Sequence, residues 1–530
     1  VYGISHVRKA QISEELKAIL EKVFLPVAPT LRLSTKPFPT QSPTQNGPYI
    51  VWQHKGNGID GDKPPYKSTR VTFQNEQPVF SHSLFDAHPQ LGDTIQKLLV
   101  EGLYCQLPIA LPCDPEKNTT LAKSKPFEDL QTKLSQLNLQ TASADHEVVR
   151  LADIVIAWNV FQHFYPYFDV INTDWDAQLT QSFKAALKNR SEGDFYNTLC
   201  RMVASLQDGH GNVGYTQLND MAFPPIQVDQ IENQIVVVAA QDSIPVQPGD
   251  IVLTLNGIEA SEALGYEMQY VSGSPQWKTY RALWRFGFGR RGSTSTLRLA
   301  RGHDTLTVTV PRILKRPFRG DKRPDFKILE DRIYYINMDQ ISMKTFTGHL
   351  DELKQAKGIV FDLRGYANGN HGILSHLTDR PIGSARWQVP QIIYPDRLKS
   401  AGYDTAGRWN MAPARPRLRG KIVFLTDASA ISYAESVMGM VEHYQLGDIV
   451  GRPTAGTNGD INQFSLPGGF RIIWTGMRVV KHDHTQHHLI GILPTHPVQK
   501  TIRAIVEGRD EDLEKALEII RHAQTSPDHR

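Results

Sequence analysis

Alternating strand and helix patterns run through the C-terminal part of the chain from Tyr334 onward. Short apolar, β-branched runs such as "RIYYINM", "GIVFDLRG" and "KIVFLTD" alternate with helical patterns, and "DEDLEKALEIIRH" is typical of a closing amphipathic helix. Alternating β and α units favour an α/β core with a largely parallel sheet. We predict this core over residues 313–530, interrupted by an irregular insert rich in Arg, Pro and Trp over residues 380–418.

The rest of the chain must form further units, because 530 residues exceed one ordinary domain. Pro- and Gly-punctuated strand patterns such as "YIVWQHKG", "STRVTF" and "QPVFSHSLF" predict a small, mostly-β N-terminal domain. "CDPEKNTTLAKSKP" has the composition of a linker. The predicted units are a mostly-β domain (1–115), a linker (116–144), a helical subdomain (145–221), a β-rich domain (222–312) and the α/β core (313–530).

Composition excludes several classes of protein. Hydrophobic residues make up 40% of the chain and charged residues 21%, which is typical of a soluble globular protein. The net charge of +3 is spread along the chain, so we predict no nucleic-acid partner and no anionic membrane surface. The longest apolar run, "IVVVAA" from Ile235, predicts a buried strand and not a membrane span. The start "VYGISHVRK" lacks Met and a signal pattern, so we expect a processed chain from which an export signal was removed.

The three cysteines do not form a metal motif or a disulfide framework. Cys105 and Cys113 flank "QLPIALP", where they either pair across a hairpin or remain unpaired thiols. Cys200 lies on the apolar side of a predicted helix, which is a packing position.

The stretch "TDASAISYAESVMG" contains three serines where a predicted strand passes into a helix. Ser429 falls in the turn, and Ser436 falls inside the helix, where its hydroxyl is expected to bond back to that helix. Ser432 is at the helix start, where free backbone N–H groups can stabilise an oxyanion beside a nucleophile. The alternative is a capping box, since Ser432 and Glu435 have S-x-x-E spacing.

A serine nucleophile needs a general base and oxyanion donors. His210 follows a predicted helix whose apolar face includes Phe195, Leu199 and Leu206, and glycines flank it in "QDGHGN". Its alternative role is that of a surface loop histidine. Gly365 follows the strand pattern in "VFDLRGYANGN", so its N–H either points into a cleft at the end of the sheet or belongs to an ordinary β-to-α turn.

Together these segments resemble the S41 peptidase family, which includes the C-terminal processing proteases and the tricorn core. The resemblance runs from about Leu151 to Ile520 and rests on motifs that occur in the family's order. These motifs are "WNVFQHFYPYFDVINTDWDAQL", "ASLQDGHGNV", "PGDIVLTLNG", "GIVFDLRGYANGN", "TDASAISYAE", "GRPTAGTNG" and "HHLIGILPTHPV".

The resemblance implies a serine peptidase that acts on peptide or protein substrates without a cofactor. It implies Ser432 as the nucleophile, His210 as the general base, and an oxyanion hole formed by the N–H groups of Gly365 and Tyr433. The implied fold is a ClpP/crotonase-like α/β catalytic core with a PDZ-like β domain over residues 222–312. That domain either binds an extended peptide by strand addition or acts as a lid. The implied location is periplasmic or secreted.

Two departures from the family pattern concern the activation of the serine. Processing proteases place a lysine where this chain has Thr457, so a Ser-Lys dyad is excluded and the His-using, tricorn-like branch is favoured. Tricorn-like enzymes have a glutamate where this chain has His488, so the carboxylate that would orient His210 is unassigned. Asp208 and Glu435 are the candidates, and His488 is a further candidate for a supporting role.

Further departures favour an alternative function, that of a catalytically degenerate S41-like protein that binds peptides. "DLRGYANGN" lacks the family's double glycine, and Thr495 replaces the Asp after the closing Pro. The intact Ser432, His210 and Gly365 favour the enzyme. An esterase of the α/β-hydrolase type is disfavoured because "AISYA" lacks the glycines of G-x-S-x-G.

The segment "KHDHTQHH" contains four histidines, His482, His484, His487 and His488. Histidines at alternate strand positions are able to bind zinc, whereas a solvated hairpin between "RIIWTGMRVV" and "LIGI" is the simpler interpretation. We predict no metal site.

Overall fold

A computed structural model of the protein describes residues 12–39, 47–56, 67–120, 125–136, 141–215, 220–320, 323–393 and 400–525. The helices in these ranges are α1 (Ser13–Phe24), α2 (Lys125–Ser135), α3 (Glu147–Phe164), α4 (Trp175–Ala186), α5 (Glu192–Ala204), α6 (Ala260–Met268), α7 (Pro275–Trp284), α8 (Met343–Gly348), α9 (Leu350–Leu353), a 3-10 helix (His371–Leu377), α10 (Tyr433–Tyr444), α11 (Ile502–Glu507) and α12 (Glu511–Thr525).

The strands of the same ranges are β1 (Arg32–Ser34), β2 (Tyr49–Lys55), β3 (Lys67–Gln74), β4 (Gln77–Pro78), β5 (Thr94–Val100), β6 (Leu103–Pro108), β7 (Ala110–Asp114), β8 (Thr119–Thr120), β9 (Asn212–Tyr215), β10 (Met221–Ala222), β11 (Ile226–Ile231), β12 (Gln234–Ala240), β13 (Ile251–Leu255), β14 (Ile258–Glu259), β15 (Gly289–Arg290), β16 (Thr294–Arg301), β17 (Asp304–Pro311), β18 (Phe326–Glu330), β19 (Ile333–Asn337), β20 (Gly358–Asp362), β21 (Ile382–Gly383), β22 (Trp387–Ile392), β23 (Ser400–Gly407), β24 (Asn410–Met411), β25 (Lys421–Thr426), β26 (Asp448–Gly451), β27 (Ile461–Leu466), β28 (Phe470–Thr475), β29 (Arg478–Val479) and β30 (His496–Pro497).

The central sheet has the strand order β18-β19-β20-β25-β26-β30. β18 is antiparallel to β19, and the other five strands run parallel, as the alternating pattern predicted. Helix α10 contributes to a large apolar core on one face, and α12 packs on the other through Ala516 and Ile520. The strands are therefore buried on both faces, which explains their continuous apolar runs.

The expected irregular insert is instead built around two strands, β22 and β23, so that prediction was wrong. β22 pairs with β23 and β29, and it also pairs with the N-terminal strand β2, with Ile392 opposite His54. Gly56 N–H extends this pairing by donating to the Pro390 carbonyl at 2.9 Å. The local pattern did not indicate these strands, and one partner of β22, the strand β2, lies more than 300 residues away in the sequence.

The N-terminal region contains two sheets, one with the order β1-β6-β5 and one in which β2 and β3 join β22. "QPVFSHSLF", predicted as a strand, contributes only Gln77–Pro78 to a sheet and continues in turns. The predicted linker contains helix α2, which has no buried residues in its described part. The boundaries assigned to the domains stay predictions.

Helices α3, α4 and α5 form the predicted helical layer. Asp174 caps α4 by accepting from the Ala177 N–H at 2.9 Å, and the predicted apolar face of α5 is buried. This layer packs on the β27–β28 hairpin through Phe470 and Trp474. β9 then pairs with β28, and this pairing brings the loop after α5 against the end of β28.

Residues 226–311 form an antiparallel sheet in the order β11-β12-β13-β16-β17, with β14 beside β13. Helices α6 and α7 cover its apolar core, and the predicted buried strand at Ile235 is β12. α7 contacts the α/β core at its N-terminus, where Ser274 Oγ donates to the Ala455 carbonyl at 2.6 Å.

Cys105, Cys113 and Cys200 are free thiols, so the hairpin disulfide is not formed. No helix in the described ranges combines the length and the apolar character that crossing a bilayer requires. The same ranges contain no group of three or more metal-ligating side chains arranged to hold an ion.

A buried ion cluster connects the central sheet to the C-terminal helix α12. Arg364, which follows β20, pairs with Asp362 at 2.7 Å, Asp510 at 2.7 Å and Asp512 at 3.0 Å. Although burial raises the pKa of Asp362, the charge and hydrogen bonds of Arg364 outweigh burial and hold that pKa well below its usual range. The guanidinium therefore contacts three acidic side chains at once, while Arg323 and Arg452 also pair with Asp362 and Asp512.

Replacing this arginine by methionine, Arg364→Met, should strongly destabilise the fold. The substitution removes one cation from a cluster of three carboxylates, and breaking a buried ion pair typically costs about 3–5 kcal/mol. Thermal unfolding followed by calorimetry measures the loss. The control is Arg521→Met, which removes a solvent-exposed pair with Glu330 and should leave the unfolding midpoint unchanged. Equal midpoints for both variants would contradict a structural role of the cluster.

Candidate active site

Ser432 lies in the turn between β25 and α10, and its backbone is strained. Its φ of 59° and ψ of −113° fall outside the regions that non-glycine residues ordinarily adopt. The Ser432 N–H donates to the Thr457 carbonyl at 2.9 Å, which holds the turn in this conformation. Strain of this kind persists only where the surroundings enforce it, and it concentrates at functional sites.

The two neighbouring serines are engaged elsewhere. Ser429 donates to Asp427 within the turn. Ser436 was expected to bond back to its own helix, but its hydroxyl donates to Asn458 Oδ1 at 3.1 Å. Ser432 is the residue of the three whose side chain makes no hydrogen bond within the described structure.

The capping-box alternative is wrong. Ser432 makes no side-chain cap, because its positive φ turns the side chain away from the first helical N–H groups. Glu435 does not reach back to the cap either. Its buried carboxylate accepts from the Gly456 and Thr457 N–H groups, both at 2.7 Å, and from the Thr454 hydroxyl. Glu435 therefore fixes the segment 454–457 and not its own helix start.

His210 lies in the loop after α5, which ends at Ala204. Its Nδ1 is 2.8 Å from the Thr475 hydroxyl, and that hydroxyl donates to Asp208 Oδ1 at 2.5 Å. The buried Asp208 also accepts from the Thr475 N–H at 2.6 Å and from the His210 N–H at 3.0 Å. Asp208 is thus connected to the imidazole through one threonine.

Burial and charge act on His210 in opposite directions. Burial lowers the pKa of His210, and the negative charges of Asp208, Glu435 and Asp460 oppose this effect without cancelling it. The imidazole is consequently neutral over a wider pH range than an exposed histidine. If Thr475 donates to Asp208, Nδ1 carries the proton and Nε2 is left as the basic nitrogen.

Thr457 connects the serine turn to the histidine loop. Its hydroxyl accepts from the Gly209 N–H at 3.0 Å, and its carbonyl accepts from the Ser432 N–H. A Cβ at Gly209 would lie 2.6 Å from that hydroxyl, so only glycine permits this approach. Thr457, which stands where the processing proteases have a lysine, is fully buried. It connects the loop of His210 to the turn of Ser432.

The N–H groups of Gly365 and Tyr433 have no acceptor among the described residues. Arg323 donates to the Arg364 carbonyl at 2.8 Å, so the Gly365 N–H, which is trans to it, points the opposite way. The Ser432 carbonyl accepts from the Ser436 N–H at 3.0 Å, which directs the Tyr433 N–H out of the helix start. Both groups are therefore available as donors.

A cavity of about 210 Å³ opens beside the serine. It is lined by Ser432 and Ser436, by polar residues of the 458–460 segment, and by large apolar side chains. The apolar lining residues are Tyr366, Trp387, Trp409, Tyr433 and Met477. Arg380, Trp387 and Arg397 are unusual for a plain loop, so the sequence predicts that the insert forms one wall of the cleft, and Trp387 does line the cavity. Arg397 lies outside the described residues, and Arg380 is not among the lining residues.

The aromatic wall is itself held by close contacts. Trp409 stacks on His371 with ring centroids 4.4 Å apart and contacts Tyr433 and Trp387 edge-on. The Tyr433 hydroxyl lies 2.5 Å from His371 Nδ1. Tyr433 thus offers its backbone N–H near the serine while its ring belongs to the cavity wall.

His488 is buried behind the site. Its ring stacks on Tyr167 with centroids 3.9 Å apart, and its Nε2 lies 3.3 Å from the Tyr165 hydroxyl. Burial, together with neighbouring His487 and His210, lowers the pKa of His488 to about 3, so the ring is neutral. It is His487 whose Nε2 lies 3.3 Å from Glu435.

Sequence reasoning missed three contributors to the site. Thr475 was not recognised, although a threonine in the apolar run "FRIIWTGM" is a detectable anomaly in a buried strand. The roles of Thr457 and Trp409 depend on partners that are distant in the sequence, so no local signal identifies them.

Comparison with known proteins identifies the family. Residues 332–498 match the family model of peptidase family S41. The carboxyl-terminal-processing protease of Synechocystis sp. is 22% identical over 399 residues, which cover 69% of this chain and 85% of that protein. Residues 332–498 therefore form an S41 domain, and the resemblance inferred from the motifs is confirmed. The protein is a serine-type peptidase.

Solved structures share the fold. The structure of mature CPAF has a TM-score of 0.57 and 13% identity, covering 71% of this chain and 96% of its own. A second structure, of mature CPAF complexed with lactacystin, has the same TM-score and identity and covers 98% of its own chain. The mixed α/β, multidomain architecture is therefore that of S41 proteases.

His210 should titrate below the ordinary histidine value of about 6.5. Burial lowers its pKa, so the proton is lost at a lower pH than from an exposed imidazole. Histidine-selective ¹³C NMR measures the midpoint, and His210→Gln identifies the resonance. Asp208→Asn should lower the midpoint further, because the Asp208 charge raises it. A midpoint above 6.5 would show that the carboxylates outweigh burial.

Proposed function

Because residues 332–498 form a peptidase family S41 domain, we propose that this protein cleaves peptide bonds by Ser-His acyl transfer with a backbone oxyanion hole. The observation that carries the proposal is the position of Thr457. Through its hydroxyl and its carbonyl, this residue joins the loop of His210 to the strained turn of Ser432.

The reaction begins at the serine hydroxyl. His210 Nε2 takes the proton of Ser432 Oγ as the oxygen attacks the substrate carbonyl carbon. The carbonyl π electrons move onto oxygen, and the Gly365 and Tyr433 N–H groups stabilise the oxyanion. Collapse breaks the C–N bond, and His210 gives its proton to the departing amine. Water, deprotonated by His210, then releases the acyl group from the serine.

Asp208 is our proposal for the acid that orients the base. In a direct triad, a carboxylate accepts from the histidine Nδ1–H. Here the Thr475 hydroxyl occupies that position and passes the hydrogen bond on to the buried carboxylate. This arrangement fixes the His210 tautomer that leaves Nε2 unprotonated. Asp208 then stabilises the imidazolium through the Thr475 hydroxyl and not by direct contact. Glu435, the other candidate acid, is occupied with the 454–457 segment.

The finer assignments of domains and location are also proposals. The α/β core carries the geometry expected of a ClpP/crotonase-like catalytic domain, with the serine and Gly365 at the carboxyl ends of neighbouring parallel strands. The antiparallel sheet and two helices of residues 226–311 agree with a PDZ-like domain. The periplasmic or secreted location rests on the resemblance.

Ser432→Ala should abolish cleavage, because the hydroxyl is the attacking group. Cleavage of a mixed peptide library at about pH 8, read by mass spectrometry, measures it. Ser429→Ala is the matched control, since that hydroxyl bonds to Asp427 within the same turn. Cleavage by the Ser432 variant would refute the assignment. A wild type that retains library peptides without cutting them would favour the peptide-binding alternative.

Thr475→Val should lower kcat by roughly 10- to 100-fold, a loss within the range of general-base contributions. Valine preserves shape but cannot pass the hydrogen bond from His210 to Asp208. Thr475→Ser keeps the hydroxyl and should restore most of the rate. The pH profile of kcat/KM distinguishes positioning from simple structural damage: its acidic limb should shift in the valine variant and not in the serine variant. Equal rates for both variants would exclude the relay.

A further inference from the structure

The N-terminal region encloses a large cavity that is remote from the serine. Its volume is about 1130 Å³, which exceeds the roughly 300–1,000 Å³ of ordinary ligand pockets. One wall is formed by β5 and β6 and the other by the face of β2, β3 and β7, with α2 contributing Phe127 and Gln131. The proposed peptidase mechanism uses none of these residues.

Strand register shows that each wall is one continuous sheet face. On β5 and β6, Ile95 lies opposite Leu107 and Lys97 opposite Cys105. On the facing sheet, Trp52 lies opposite Arg70 and His54 opposite Ser68. The alternate residues of β2, including Tyr49 and Val51, fill an apolar cluster on the other side of that sheet. The cavity-facing side has no such filling.

Facing sheets normally interdigitate their apolar side chains about 10 Å apart. Here large apolar side chains are left accessible to water within the cavity: Trp52 is 50% exposed, Leu99 44% and Leu107 41%. Ile50 and Ile95 are buried at 2% and 8%. Leaving this much apolar surface wet is unfavourable, and a contiguous patch of this kind marks a binding site for an apolar group.

The charges in the cavity are of one sign. The described lining includes Arg70 on one wall and Lys97 on the other, and no Asp or Glu. The Arg70 Nε is shielded from solvent without a hydrogen-bond partner, while its Nη2 donates to the Asn118 carbonyl. Burial, with His163, lowers the pKa of His54 to about 4, and burial raises the pKa of Cys105, so neither side chain is charged near pH 7.

We propose that this cavity binds a long-chain carboxylic acid, with its apolar chain between the two sheets and its carboxylate at Arg70 and Lys97. A guanidinium with an unused, desolvated N–H offers a charge-assisted hydrogen bond to a carboxylate. The apolar faces supply the hydrophobic contribution. The inference does not depend on the proposed peptidase mechanism.

Dodecanoate tests the proposal with the full-length chain. We expect saturable binding at one site by calorimetry, and quenching of tryptophan fluorescence by 12-bromododecanoate. Trp52→Phe should remove the quenching but not the binding, because Trp52 is the tryptophan in the cavity lining. Absence of both binding and quenching would overturn the proposal and leave an apolar protein segment as the occupant to test.

An arginine variant and its control separate the contribution of the ligand's carboxylate from that of its alkyl chain. Arg70→Met should weaken dodecanoate binding roughly tenfold or more, the loss expected for a hydrogen bond between charged groups. Dodecanol binding should be unaffected by the same change. Arg298→Met, which changes an exposed strand arginine outside the cavity, is the control. Equal affinity for dodecanoate and dodecanol, unchanged in Arg70→Met, would overturn the carboxylate assignment.

A cavity-filling substitution tests the site independently, in case the Arg70→Met variant does not fold. Leu107→Trp adds bulk at the mouth, where Leu107 is partly exposed, and leaves both cations in place. Loss of dodecanoate binding in this variant, with an unchanged circular dichroism spectrum, would support the site. Retained binding would place the ligand elsewhere on the chain and refute the proposal.

Discussion

The hydrogen bonds of one buried segment, residues 454–457, hold the active site together. Glu435 accepts from both backbone and side-chain donors of this segment, which leaves no freedom for Thr457. Thr457 in turn binds Gly209 and Ser432. A buried carboxylate without its donors is costly. The hydrogen bonds that satisfy Glu435 therefore also hold the loop of His210, the proposed base, against the strained turn of Ser432, the proposed nucleophile.

The proposed oxyanion donors depend on a second, separate set of contacts. The direction of the Gly365 N–H follows from the Arg364 carbonyl, which Arg323 holds. Arg364 is fixed by carboxylates of β20 and of the C-terminal helix. The last helix of the chain thus influences a peptide group beside the serine, even though none of its own residues lines the cavity. Two separate networks therefore meet beside Ser432, one built on Glu435 and Thr457 and the other on Arg364.

Local periodicity sufficed for the parallel sheet, for helices α3 to α5 and for the loop that carries His210, because each is determined by residues near in sequence. It failed wherever the deciding partner is distant. The S-x-x-E spacing at Ser432 is identical for a capping box and for this site, and only the contact of Glu435 with Thr457, 22 residues away, distinguishes them. The pairing of β22 with β2 and the contact of Thr475 with Asp208 gave no local signal for the same reason, since each joins residues hundreds of positions apart.

Strand β22 has one end at each cavity. Trp387, at its start, lines the space beside the serine, and Ile393, just past its end, lines the N-terminal cavity, while the strand pairs with β2 in between. Pairings that span so much sequence form late, since the loops they close are long. During synthesis the ribosome must release nearly the whole polypeptide before the wall at Trp387 and the contact between Gly209 and Thr457 can exist together. The proposed active site can therefore form only after most of the chain has been synthesised.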